Sequence, residues 1–336
     1  MSAGTMNAVY YHAPRQFTLE QVPIPQVADN EVLLKVLCCG ICGTDGHVHE
    51  GAFIAQFPLI PGHEVVGIVS DLGKGVTGFT RGDRCVADPG VTCGHCFFCR
   101  RGKSVLCENF KGRGVNLSGG FSEYVIFESK NVYKIHNLTD EEATLVEPAS
   151  CAIHGMDKLN APVGIEALVI GAGPTGLILA QLLKLNGATR VVIAANKGIK
   201  TEVAKQLDAG HGLKKDNPYG FDVVVEATGS AKIANDAIDY VRRGGTLMIY
   251  GVYDHDALVR WSPSKIFIDE IKDEYLIFFF LWLILTTHCF PRAVAYLDSG
   301  KIRVKGMVTD VYKISDYQKA LDKMNSRGAL KIAVKP

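Results

Sequence analysis

The feature that most restricts how this chain can fold is a six-residue turn, Gly171-Ala172-Gly173-Pro174-Thr175-Gly176. It directly follows a short apolar run, Leu168–Ile170, and opens a helix-like stretch from Thr175 to Asn186. In a G-x-G-x-x-G turn between strand and helix, the first glycine permits the tight bend. The second lets backbone approach a pyrophosphate, and the third lets helix pack on strand. The helix N-terminus then offers N–H donors and a positive dipole end to phosphate. Gly171, Gly173, Pro174, Thr175 and Gly176 are therefore the candidate dinucleotide-binding residues, and Thr228, just past a later strand, joins them. An incidental glycine-rich turn is the competing reading, and the strand and helix on either side weigh against it. Downstream, apolar strands at Val191–Ala195, Asp222–Glu226 and Gly245–Tyr250 alternate with helical runs at Thr201–Ala209 and Ala231–Val241. That alternation predicts a doubly wound parallel sheet.

The end of the second strand should distinguish NAD from NADP. An NAD site usually places Asp or Glu there, on the ribose 2′-hydroxyl. This chain reads Ile193-Ala194-Ala195-Asn196-Lys197, with Lys200 beyond and no carboxylate. A carboxylate would repel a 2′-phosphate, whereas an amide donor and lysines would attract it. Asn196 and Lys197 thus point to NADP, with NAD the alternative and solvated loop lysines the plainer reading.

The chain has 336 residues, which at roughly 150 residues per domain suggests about two domains. Up to about residue 153 the texture is β-rich. Short apolar stretches (Val32–Leu37, Val65–Ser70, Tyr124–Phe127) alternate with glycine turns, as in a small barrel or sandwich. Within this part, Cys93, Cys96, Cys99 and Cys107 form C-x2-C-x2-C-x7-C. Four thiolates so spaced can wrap one tetrahedral zinc and fold a loop with little core of its own. Iron–sulfur runs use similar spacings but recruit a distant cysteine or end in Cys-Pro, and neither occurs here. No signal-like segment opens the sequence, so the ten cysteines are expected in a reducing cytoplasm as ligands or core residues. Lys plus Arg (36) balance Asp plus Glu (35), which leaves no electrostatic footprint for nucleic acid or an anionic membrane.

Three further segments suggest a second metal: Cys39-Gly40-Ile41-Cys42-Gly43-Thr44-Asp45-Gly46-His47, Pro61-Gly62-His63-Glu64 and Glu147-Pro148-Ala149-Ser150. A thiolate, an imidazole and carboxylates suit a catalytic zinc that keeps one position for water or substrate. Taken singly, each has a blander reading: a hydrogen-bonded turn histidine, a helix start at Glu-Pro, packing cysteines at Cys38 and Cys39.

In this order, these segments, the four-cysteine lobe and the nucleotide turn resemble the zinc-containing medium-chain alcohol dehydrogenases, in their polyol (sorbitol, xylitol and arabitol) branch. The likeness runs from about Tyr10 to Pro336. It implies an α/β chain: a GroES-like β-rich catalytic domain (1–153), a Rossmann dinucleotide-binding domain (154–290), and a C-terminal segment (291–336) returning to the catalytic domain. It further implies two zinc ions per chain. The catalytic one falls to Cys42, His63, Glu64 and Glu147, with Cys151 a poorly spaced competitor, and the structural one to the four-cysteine lobe. By the same likeness Asp45 orients the zinc-bound histidine, and Thr44 and His47 relay the proton. The active site is expected between the two domains. The implied reaction is reversible oxidation of a secondary hydroxyl of a polyol, D-arabinitol foremost, to a ketose with NADP. The implied assembly is a cytoplasmic homo-oligomer, a dimer or tetramer, with no nucleic-acid or membrane partner.

Alternatives are an NAD-dependent xylitol, sorbitol or threonine-type dehydrogenase, and, from another class, a non-enzymatic nucleotide-binding relative. Two departures from the branch stand out. A tyrosine that often follows the relay histidine is here Val48, which argues against sorbitol. The apolar tract Tyr275–Leu285 replaces a short strand and Gly-Ser-type turn, and no glycine occurs between Gly251 and Gly300. Eleven consecutive apolar residues predict association through this tract.

Overall fold

The computed structural model describes residues 4–52, 54–195, 217–254, 256–275 and 288–336. Asn196, Lys197, the expected helix at Thr201–Ala209, and the apolar tract from Leu276 onward lie outside the described residues. The chain divides into two compact units, one of residues 1–151 with 280–336, the other of residues 152–279.

The first unit is built on the eleven-residue strand Glu31–Ile41. Its sequence, EVLLKVLCCGI, is apolar on both faces, and nearly every residue from Val32 to Ile41 is buried, as befits a central strand. Along one edge, Glu64–Leu72 runs antiparallel to it through its length, from Val32↔Leu72 to Gly40↔Glu64. Its other edge is shared: Tyr124–Glu128 pairs with the beginning and Lys331–Lys335 with the end, at Gly40↔Ala333 and Ile41↔Ile332. The last strand of the chain is thus hydrogen-bonded to one of the first. Tyr11, Leu34, Phe121, Phe127, Tyr317 and Val334 lie in the core beneath this sheet. The strand ends where Cys42 caps a short helix, Gly43–His49.

In the second unit, five strands lie parallel in the spatial order Arg190–Ala194, Glu166–Ile170, Phe221–Glu226, Val241–Ile249, Lys272–Tyr275, among the described residues. The parallel sheet is the one the strand–helix alternation predicts. The helical run expected over Ala231–Val241 ends earlier. The helix covers Ala231–Ala237, one 3-10 turn follows to Tyr240, and Val241 already pairs with Phe221. A β-branched residue beside a buried strand joins the ladder in preference to a last helical turn.

Candidate metal centres and nucleotide turn

Cys42 follows the last residue of the central strand, and Glu64 begins the strand beside it, so sheet register alone brings them to one end of the sheet. His63 stands one residue before Glu64. The ligand atoms of Cys42, His63 and Glu64 all lie within 4.8 Å of one another. His63 and Glu64 are buried, at 2% and 1% exposure. Behind them, Asp45 in the first turn of the Gly43–His49 helix accepts the Cys42 backbone N–H through Oδ2 at 2.8 Å. Its Oδ1 faces His63 Nδ1 at 3.8 Å. Thr44 and His47, both half-buried, lie three residues apart on the same helix, a spacing that puts them on one face.

Glu147 is buried in the first turn of the helix Val146–Leu159. The Cys151 thiol, one turn later, donates to its Oε1 at 3.4 Å. The spacing that made Cys151 a weak candidate ligand is the i,i+4 spacing that turns it into a partner for Glu147. Burial pushes the Glu147 carboxyl up to about 8; His63 opposes that rise, and Glu64 and Cys42 add to it. Burial likewise raises Asp45 to about 6, against the pull of His63 and the Cys42 backbone N–H. It also raises the Cys42 thiol, with Glu64 contributing. Four acidic groups here share a dry volume with one imidazole and one ammonium, that of Lys331. Burial disfavours the charged forms of Glu147, Asp45 and Cys42, and the donors are those zinc prefers. The set fits a zinc ion.

The lobe at Cys93–Cys107 fits a second. Its four sulfurs lie within 4.8 Å of one another, and Cys107 Sγ is 3.5 Å from Cys93 Sγ. A tetrahedron with Zn–S arms of about 2.3 Å has edges of about 3.8 Å. Backbone N–H groups already point at the sulfurs, Cys93 N–H to Cys107 Sγ at 3.3 Å and Cys99 N–H to Cys96 Sγ at 3.5 Å. Donors of this kind, the His95 N–H first, hold the Cys93 thiol down to about 6 and lower Cys96 as well, whereas burial raises Cys99 and Cys107. The lobe has little else to fold around: Phe97 and Leu106 are exposed.

In the second unit, Gly171 takes φ +119° directly after the strand Glu166–Ile170, a conformation open to glycine. Its N–H donates to Ala194 O at 2.8 Å, tying the turn to the neighbouring strand. Gly173 caps the helix Pro174–Leu185, with Pro174 in the first turn, where a missing N–H does no harm. A Cβ on Gly176 would stand 2.1 Å from Gly171 O, so helix and strand approach as closely as only glycine allows. The turn lies where the strand order reverses, between Arg190–Ala194 and Phe221–Glu226, which is where open parallel sheets bind ligands. Thr228 is exposed at the end of the adjacent strand, and its N–H donates to Glu226 Oε1 at 2.7 Å.

Two residues that the sequence did not single out belong to these sites. Glu226 is wholly buried at the end of its strand and gathers Thr228, Gly229 and the Tyr253 hydroxyl. A lone acid closing an apolar strand was the available signal. Lys331 reaches Glu64, and nothing near Lys331 in sequence announces a partner 267 positions away.

Known proteins resemble this chain in sequence and in fold. Residues 28–137 match the family described as the alcohol dehydrogenase GroES-like domain, and residues 174–273 match the zinc-binding dehydrogenase family. The chain is 58% identical to D-arabinitol dehydrogenase 1 of Uromyces fabae, over 98% of this chain and 97% of that protein. It is 31% identical to the sorbitol dehydrogenase of Bacillus subtilis, covering 95% and 93% respectively. Among solved structures, a protein of Sinorhizobium meliloti 1021 described as a zinc-binding dehydrogenase and bound to NADP superposes with a TM-score of 0.92 at 28% identity. That match covers 99% of this chain and 100% of the other.

Proposed function

The chain belongs to the zinc-binding alcohol dehydrogenases with a GroES-like domain, and from that premise we propose that it oxidises a secondary hydroxyl of a polyol, D-arabinitol foremost, to the ketose with NADP as hydride acceptor. The observation that carries this reading is the convergence of Cys42, His63 and Glu64 at the end of a buried strand, with Glu147 buried nearby. These four residues would hold one zinc, and the four-cysteine lobe a second. When bound, zinc supplies Lewis acidity toward a hydroxyl oxygen, and the nicotinamide accepts a hydride.

The chain's own residues do the rest. Asp45 accepts the Cys42 backbone N–H and faces His63 Nδ1 across 3.8 Å, where it would orient the imidazole toward a bound cation. Thr44 takes the proton leaving the substrate hydroxyl and passes it to His47 on the same helix face. Gly171, Gly173, Pro174, Thr175, Gly176 and Thr228 seat the dinucleotide. Overall, a secondary alcohol and NADP+ would give a ketone, NADPH and H+. Val48, where the branch often carries tyrosine, is wholly buried in the apolar core. It offers no hydroxyl to a substrate, which argues against sorbitol.

The preference for NADP over NAD rests on Asn196 and Lys197 in place of a carboxylate, and is supported by the NADP carried by the Sinorhizobium protein. The described cysteines are all free, in keeping with a cytoplasmic enzyme. The apolar tract after Tyr275 supports a homo-oligomer. The deciding experiment is turnover of D-arabinitol by the purified protein with NADP and with NAD, alongside zinc analysis. Ketose formation, two zinc per chain and a higher kcat/KM with NADP are expected, and Asn196→Asp should weaken the NADP preference. No oxidation of any pentitol would overturn the substrate reading, and equal kcat/KM for the two cofactors would overturn the NADP reading.

A further inference from the structure

The strand pairing does something unusual at Gly40. On one side Gly40 pairs with Glu64, and on the other with Ala333, so that Lys331 arrives alongside Cys42. Glu64 and Lys331 thus flank the central strand from opposite sides, and between them stands a residue with no side chain. A Cβ on Gly40 would lie 1.9 Å from Glu64 Oε2 and 3.1 Å from Lys331 Cε. Across that bare Cα the Lys331 ammonium lies 2.5 Å from Glu64 Oε1 and contacts Oε2 as well. The side chains are 5% and 0% exposed, so the pair is dry. In such surroundings a charge acts strongly on its neighbours, and removing one member leaves the other uncompensated.

We propose that Lys331 is a positioning residue that sets how tightly the Cys42–His63–Glu64 centre holds its metal. The inference rests on the reading of that centre as a zinc site. A lysine ammonium and a zinc ion both claim the Glu64 carboxylate. With Lys331 in place, Glu64 is a shared and therefore weakened ligand. The direction of the effect is what separates this role from a merely structural one. A lysine that only braces the fold would, when lost, loosen the site. A lysine that competes with the metal would, when lost, tighten it.

The test measures zinc release from the purified holoenzyme into excess chelator, with no turnover involved. Cys42→Ser, which lacks the centre, identifies the release phase that belongs to the four-cysteine lobe. Lys331→Met keeps the length and removes the charge. It should slow release from the Cys42 centre roughly tenfold or more, while Lys331→Arg, which keeps the charge, should not slow it. In a Glu64→Gln background, Lys331→Met should change nothing. Release from Lys331→Met that is as fast as or faster than the parent's would overturn the proposal. So would a slowing that persists with Glu64→Gln. If Lys331→Met alone does not fold, Lys331→Met with Glu64→Gln removes both charges together, and release differing from that of Glu64→Gln alone overturns the proposal. If instead the parent and Cys42→Ser carry the same zinc content, the zinc-site reading itself has failed, which is a distinct result.

Discussion

Asp45 Oδ1 lies 3.8 Å from His63 Nδ1, and neither side chain is more than 3% exposed. The other oxygen of the same carboxylate accepts the Cys42 backbone N–H at 2.8 Å. One buried acid therefore steadies the surroundings of two proposed zinc ligands that sit 21 positions apart in the chain. Asp45→Asn keeps an oxygen for the Cys42 N–H and removes the charge facing His63. It should lower zinc affinity at the Cys42 centre by about 10- to 100-fold and leave the lobe zinc in place. Metal analysis after graded chelator dialysis reads this directly, and unchanged zinc retention would show that Asp45 has no such part.

Cys107→Ser should remove one zinc of the two and leave the Cys42 centre loaded. Because Phe97 and Leu106 are exposed, the lobe has no apolar core to fall back on. Limited proteolysis should then cut between residues 93 and 107 in the variant and not in the parent. A variant with both zinc ions and an uncut lobe would contradict the structural-zinc reading.

Gly176→Ala places a Cβ 2.1 Å from Gly171 O, a backbone atom that cannot swing aside. Overpacking of this kind costs about 1–3 kcal/mol, and here it falls on the turn proposed to hold the pyrophosphate. NADPH affinity, followed by fluorescence titration, should weaken at least about fivefold, while zinc content stays at two. Unaltered NADPH affinity in a folded variant would remove Gly176 from the nucleotide site.

Asp88, which is none of the proposed zinc ligands, gives a pH prediction. Burial lifts its carboxyl up to about 7, opposed by the Gly90 backbone N–H that donates to Oδ1 at 2.8 Å. The ordinary value is 3.8, so between the two values the folded chain holds a proton that the unfolded chain releases. Stability contributed by this group is full below about 4 and is lost as pH rises through about 7. Asp88→Asn has no charge to lose. Its unfolding free energy should match the parent's near pH 4.5 and exceed it near pH 8 by an amount on the order of 1–4 kcal/mol, with Tm shifting in the same sense. A difference in Tm that does not vary with pH would refute the assignment.

What was legible in the sequence was whatever local spacing decides. The four cysteines sit within one short loop, so their convergence needs only a chain that turns. The nucleotide turn carries its own evidence, since a glycine at φ +119° and another that must touch backbone are dictated by residues within six positions. The parallel sheet followed from period alone. The helix at Ala231 is the instructive miss: its end was set by Val241 meeting Phe221, a contact outside any sequence window.

The Cys42 centre divides in the same way. Its candidate donors, Cys42, His63, Glu64 and Glu147, are those the family likeness implies, and they are side chains that zinc accepts. What each of them touches follows from tertiary contacts. Lys331 meets Glu64 because two strands flank a glycine. Distances of that kind are set by sheet register and burial, which depend on residues hundreds of positions apart. A pattern of letters fixes the donors, whereas the charges that face them in a dry interior are known only once the chain has closed on itself.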